Sequence, residues 1–257
     1  MSNLVLLHEE DGVTTITLNR PEQVNALNEE MLNVLATKLK EASENDSKII
    51  VLQGNGKAFS AGGDLNMIAS ADNDNAFSDI MNIIEQIVLT LYQMPKITIA
   101  ALNGSAAGLG LSLALGCDYV LAKSDAKIAM NFIGIGLIPD GAGHFMMQQR
   151  VGTVRAKHLI WEGKKLEANE AKGIGLIDFV ITSDLDQSVK QYTDKLKNSP
   201  ILAMIQTKTI YHQQQLDELK SILAAETTAQ TAMRKTNDHH EGVDAFLNKR
   251  QPDFKWE

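Results

Sequence analysis

The chain has one cysteine in 257 residues, so no internal disulfide can brace it. That residue, Cys117, sits in an apolar run with no histidine or carboxylate pattern to mark a nucleophile, and it reads as a buried structural thiol. The six histidines form no HExxH pair, and nothing supplies CxxC spacing, so no metal site is expected. No apolar run approaches the roughly 18 residues of a membrane span, and the opening MSNLVLLHEEDG carries acid where a secretory leader carries base. A soluble, cytoplasmic protein with no membrane partner is the expectation. Basic residues are scarce as well: 24 Lys and Arg face 32 Asp and Glu, for a formal net charge of −8, and no basic block is long enough to track a nucleic-acid backbone. Nucleic acid is therefore not an expected partner.

What remains is ordinary globular composition, 44% hydrophobic and 22% charged, in a chain long enough for one sizeable core and a smaller appendage. Its most distinctive stretch is LNGSAAGLGLSLA at 102–114. A β-type apolar run (97–102) passes through small residues directly into a helix-like run. The missing bulk lets a ligand approach the backbone where the first free helix N–H groups point. GNGKAFSAGGDL at 54–65 repeats the design after the apolar run 49–52. Two such turns can face each other and offer one N–H apiece to a single oxygen.

Around these turns the pattern is α/β. Two strands (4–9 and 13–18) flank the hairpin signal Asp11-Gly12. Asn28 is placed to cap a helix running to about residue 43, with Met31, Leu32, Leu35 and Leu39 at helical spacing. Strand, glycine turn and helix then recur, with a further strand at 118–122. The polar stretch SADNDNAFS at 70–78 breaks the period and reads as a surface loop or as a lid over a site. Beyond residue 151 the chain turns helical: a short helix at 165–173, a last strand at 176–180, then helices near 185–196, 201–212, 216–233 and 241–248.

The ordered set NRPEQVNALN (19–28), KAFSAGGDL (57–65), ALNGSAAGLGLSLA (101–114), IGIGLIPDGAGH (133–144) and EGVDAFLNKRQPDF (241–254) resembles the enoyl-CoA hydratase/isomerase, or crotonase, superfamily over essentially the whole chain. The resemblance implies an α/β fold with a ββα spiral core over 1–195 and a C-terminal helical region over 196–257 that packs on trimer neighbours, giving a homotrimer or a hexamer of two trimers. It implies an acyl-CoA thioester as substrate, with coenzyme A part of the substrate and no separate cofactor. Matched residue by residue, it puts the two oxyanion-hole donors on the backbone N–H groups of Gly63 and Gly108. CoA-ester contacts fall on Ala26 and Leu27, on the backbone of Lys57, Ala58 and 60–65 (Ser60, Ala61, Gly62, Gly63, Asp64, Leu65), on Ala106, Gly108, Phe132 and Pro139, and on Phe246 and Lys249. With Lys57, Lys249 and Arg250 as local cations in an acidic protein, binding of so anionic a ligand is expected to be salt-sensitive.

Two positions depart from the hydratase pattern: where those enzymes carry a pair of glutamates, this chain has Ser112 and Phe132. Asp140, eight residues past Phe132, matches the single acid of the family's double-bond isomerases. One carboxylate suffices to move a proton between two carbons while an oxyanion hole holds the enolate. Its neighbours Ile133, Ile135 and Leu137 can wall an apolar pocket that raises its pKa. Pro-Asp-Gly is equally a turn, and Asp140 can instead cap the helix starting near Ala142. Asp64 reads as a cap, His144 as a packing or solvated side chain, and Asn131 as a weak candidate for holding a water. Three activities stay open: an isomerase using Asp140, a hydratase or other lyase or hydrolase of the superfamily, and a member that binds acyl-CoA without turnover.

Overall fold

A computed structural model describes residues 3–65, 67 and 74–256. Strands β1 (Val5–Glu10) and β2 (Val13–Leu18) form the expected hairpin, with Asp11 and Gly12 both at positive φ. Numbered in chain order, β3 (Ile49–Gly54), β5 (Ile97–Leu102), β7 (Tyr119–Lys123) and β10 (Phe179–Ile181) extend it in parallel to a six-stranded sheet, β1-β2-β3-β5-β7-β10. The short strands β4 (Ala58–Ser60), β6 (Ser105–Ala107), β8 (Lys127–Ala129) and β9 (Leu166–Glu167) make a second sheet, in which the first three run parallel. Each step of the spiral thus contributes one strand to each sheet, and the second sheet sets the two glycine turns side by side.

The central strands are apolar throughout because both faces are covered. Alternation assigns the faces: Ile50, Leu52, Ala100 and Leu102 point into the main core, while Ile49, Val51, Ile97 and Ile99 pack under α7 (Leu185–Lys197) and the start of α8 (Ile201–Met233). Helix α1 (Glu29–Glu44) starts as expected, with Asn28 Oδ1 accepting from Met31 N at 3.0 Å, and it buries Met31, Leu32, Leu35 and Leu39. None of the described helices is long and apolar enough to cross a membrane.

Several boundaries differ from expectation. Residues 74–78 of the supposed loop are the first turn of α2 (Asp74–Gln93), because Phe77, Ile80, Met81 and Ile84 lie on one helical face; residues 70–73 of that stretch lie outside the described residues. The helices expected at 201–212 and 216–233 are one, since Gln213, Gln214 and Gln215 between them favour helix and no Gly or Pro interrupts. Leu166–Glu167 is a strand that pairs antiparallel with β8, so the short helix α6 (Ala168–Gly173) begins later than expected. The last strand is confined to Phe179–Ile181, because Leu176 and Ile177 turn into the core ahead of it. The final helix α9 (Asn237–Leu247) begins four residues early, where Thr236 Oγ1 accepts from His239 N.

Candidate active site

The first glycine turn follows β4 and is laced to residues 24–27. Ala61 N donates to Val24 O, Leu27 N to Gly62 O and Asp64 N to Leu27 O, at 2.8–3.0 Å. Ser60 Oγ, fully buried, donates to Asn25 O and accepts from Gly62 N. Gly62 has φ +94°, and a Cβ there would come within 2.8 Å of Ala107 O, so the turn needs glycine. Asp64 is not a simple cap: its Oδ2 pairs with Arg20 Nη1 at 2.5 Å, and that guanidinium also donates to Ala26 O. This lacing leaves the Gly63 N–H without a hydrogen-bond partner among the described residues.

At the second turn the structure moves the free donor by one residue. Gly108 N, expected to be free, donates to Ala129 O at 3.0 Å and so continues the β6–β8 ladder. The next N–H, that of Leu109, opens α3 (Leu109–Leu115) and has no partner among the described residues. Gly63, Gly108 and Leu109 all line one cavity of about 300 Å³.

Asp140 lines the same cavity. Its carboxyl does not cap a helix: α4 (Gly143–Val151) has no side-chain cap at its own N-terminus, and Asp140 Oδ1 is buried with no hydrogen-bond partner among the described residues. The first N–H groups are taken instead by Glu226 of α8. Its Oε2 accepts from Ala142 N at 2.8 Å, and its Oε1 accepts from His144 N at 3.1 Å. Burial foremost, and then the negative charge of Glu226, push the Asp140 carboxyl up from 3.8 to about 8. Ser112, at 1% exposure, faces no substrate space; its Oγ donates to Asp140 O at 2.8 Å and holds the turn's backbone. His144 is turned to Glu226, with Nδ1 2.7 Å from Oε1, and does not line the cavity.

Among the expected contact residues, Ala61, Gly62, Gly63, Leu65, Gly108, Phe132, Asp140 and Phe246 line the cavity. Ala26, Leu27, Lys57, Ala58, Ser60, Asp64, Ala106, Pro139 and Lys249 do not. Of these, Leu27, Ala58, Ser60 and Ala106 are buried packing residues, whereas Lys57 and Lys249 are exposed outside it. The residue pattern had not marked the α2 wall (Phe77, Ile80, Met81, Ile84), nor Gln230 of α8 and Arg234 just past its end, nor Glu162 and Lys165. For α2 the signal was its i, i+3, i+4, i+7 spacing, obscured by the polar residues before it. Cys117 is buried, and burial pushes its thiol up to about 12, which keeps it unreactive.

A sequence profile described as Enoyl-CoA hydratase/isomerase matches residues 8–257. The chain belongs to the enoyl-CoA hydratase/isomerase family. It is an enzyme of the crotonase superfamily, and its relatives of that family carry both activities in their names. It is 50% identical to the Bacillus subtilis (strain 168) enoyl-CoA hydratase/isomerase family protein YhaR, over 95% of this chain and 96% of that protein. It is 36% identical to the Escherichia coli (strain K12) 1,2-epoxyphenylacetyl-CoA isomerase, over 99% of both chains, and 35% identical to the 2,3-dehydroadipyl-CoA hydratase of the same organism, again over 99% of both. The fold matches the crystal structure of an enoyl-CoA hydratase from Mycobacterium avium subsp. paratuberculosis K-10 with TM-score 0.89, at 30% identity and 98% coverage of each chain. This crotonase-fold enzyme shares its frame with hydratases and isomerases alike, so the choice of reaction rests on the side chains of the pocket.

Proposed function

We propose that this enzyme shifts the double bond of an enoyl-CoA thioester, with Asp140 as the single proton carrier. The observation that carries the reading is the state of that carboxyl: buried, unpartnered at Oδ1, raised to about 8, and in a cavity wall shared with the free N–H groups of Gly63 and Leu109. The thioester oxygen sits between those two N–H groups. The Asp140 carboxylate takes a proton from C2 of a 3-enoyl ester, and the electron pair left at C2 delocalises through C1 onto the thioester oxygen, in conjugation with the C3–C4 double bond, as a dienolate. The same carboxyl, now protonated, returns the proton to C4, so the double bond moves to C2–C3 with no net gain or loss of atoms. Each backbone donor contributes on the order of 3 kcal/mol to lowering the barrier.

The acyl chain fills the cavity against Phe77, Ile80, Met81 and Ile84, while the CoA portion runs outside past exposed Ala61 and Lys57. The reading requires no metal or redox cofactor, because the chemistry moves one proton. A homotrimer or dimer of trimers belongs to the same proposal, supported by the exposed Leu202, Ile210 and Tyr211 on α8, and light scattering on the purified protein tests it. A second reading, hydration, is favoured by one observation: Glu162, exposed at the cavity rim, is a further carboxyl beside the pocket. Incubation with crotonyl-CoA and separately with a 3-enoyl-CoA decides between them. Migration without water addition is expected; hydration at ordinary enzymatic rates, lost in Glu162→Gln, overturns the isomerase reading.

A further inference from the structure

We propose that Glu226 and Gln230 are positioning residues, a grip by which helix α8 holds the turn that carries Asp140. The inference rests on the reading of Asp140 as the proton carrier. The two side chains are four residues apart, so they lie one above the other on the same helix face. Gln230 Nε2 donates to Ile138 O at 2.6 Å, two residues before Asp140; Glu226 Oε2 accepts from Ala142 N at 2.8 Å, two residues after it. Glu226 Oε1 extends the hold to His144 through N at 3.1 Å and Nδ1 at 2.7 Å. From α3, Ser112 Oγ donates to Asp140 O.

The turn needs such anchors. Gly141 and Ala142 follow Asp140 at φ +61° and +62°, and a left-handed alanine persists where surrounding contacts impose it. Glu226 and Gln230 are 2% and 1% exposed. A carboxylate is unfavourable at that depth unless its oxygens are hydrogen-bonded, and among the described residues every hydrogen-bond partner of Glu226 belongs to the Asp140 turn or the helix it opens. By taking the N–H groups that an N-cap side chain would otherwise satisfy, Glu226 also leaves the Asp140 carboxyl free for the cavity. Its charge acts in the same place. The other charged or titratable groups near the cavity are Arg234 just past the end of α8, Glu162 at the end of α5 (Thr153–Glu162), Lys165 beyond it, and His144 on α4.

The test measures double-bond migration on a 3-enoyl-CoA against pH for Glu226→Gln and Gln230→Met, with Asp140→Asn alongside and thermal melts on each. Both α8 variants are expected to lose about tenfold or more in kcat with KM changed less than about twofold, since a small misplacement of a reacting group costs rate rather than binding. In Glu226→Gln the acid limb of kcat/KM moves to lower pH, because the like charge beside Asp140 is gone; in Gln230→Met, which removes a neutral bond, the limb stays. A structural role alone predicts losses matching the fraction unfolded and an unmoved limb, and that result overturns the grip. If Glu226→Gln does not fold, the kcat-against-KM split of Gln230→Met decides. Should Asp140→Asn keep full migration, the reading of Asp140 falls; should it abolish migration while both folded α8 variants match wild type, the grip alone falls.

Discussion

The glycine wall and the Asp140 wall line the same pocket but are held by different means. Residues 61–64 are tied to 24–27 mainly through backbone, by a ladder that side-chain replacement leaves in place. The Asp140 turn hangs on side chains: Ser112 from α3, and Glu226 and Gln230 from a helix 84 and 92 residues further along the chain. Backbone donors suit a group that must stay fixed in one direction, because a peptide N–H cannot rotate away. A carboxyl that gains and loses a proton needs a setting whose charge and burial can be adjusted, and side chains supply that. The glycine wall should therefore tolerate side-chain changes that would silence the other.

The largest break in that comparison is Asp140→Asn. Loss of the proton carrier is expected to lower migration about a thousandfold, with the dissociation constant of a non-reacting CoA ester within about twofold of wild type. With Asp140 as the base, the carboxylate is the active form, so the wild-type rate is expected to rise with pH and level off above about 8. Stability runs the other way. The folded state holds the proton up to about 8 and the unfolded chain releases it near 3.8, so wild-type stability falls as pH rises between those values. Asparagine escapes that loss: the variant should melt higher than wild type at pH 8 and approach it near pH 4. A melting gap independent of pH would mean that Asp140 is not held protonated by burial.

Among the backbone donors the equivalent break removes an N–H. Proline is tolerated at the first helical position, and Leu109 occupies it in α3, so Leu109→Pro deletes the donor while keeping the helix start. Migration should fall about a hundredfold, whereas Leu109→Ala, which loses buried side-chain packing but keeps the N–H, should melt lower and retain most of its kcat. Equal losses of kcat in the two variants would return the donor role to packing alone.

How far these features could be read from the sequence follows the range of their contacts. The Asp11-Gly12 hairpin, the Asn28 cap and both glycine turns are decided within a few residues, and each was legible. The second donor was misplaced by one position because the Gly108 N–H finds Ala129, a strand pairing that no local pattern announces. Ser112 stood out as a missing base, yet what it does depends on Asp140 O arriving from 28 residues away. Glu226 and Gln230 lie in a long helix whose polar residues gave no sign of which ones would be buried. Leu27, Ala58 and Ser60 match ligand-contact positions by resemblance; their side chains pack in the core and fix the turn, which leaves the backbone as what they can offer a ligand.

The smallest expected effect tests the robustness of the glycine wall, and Arg20→Met is its probe. Arg20 sits between the two laced segments, with Nη1 bonded to Asp64 Oδ2 and Ala26 O, and the paired side chains are 18% and 9% exposed. Removing the cation leaves the Asp64 carboxylate nearly buried beside a neutral neighbour. The cost is about 2 kcal/mol, below that of a fully buried pair because water reaches the guanidinium edge, and it should appear as a melting temperature lower by about 5 °C. Migration should change less than about threefold, because the Gly63 N–H is aimed by the Leu27 ladder and not by the ion pair. A tenfold loss of kcat in a variant that melts like wild type would erase the distinction between the walls: the glycine wall, too, would then depend on a side chain for its aim.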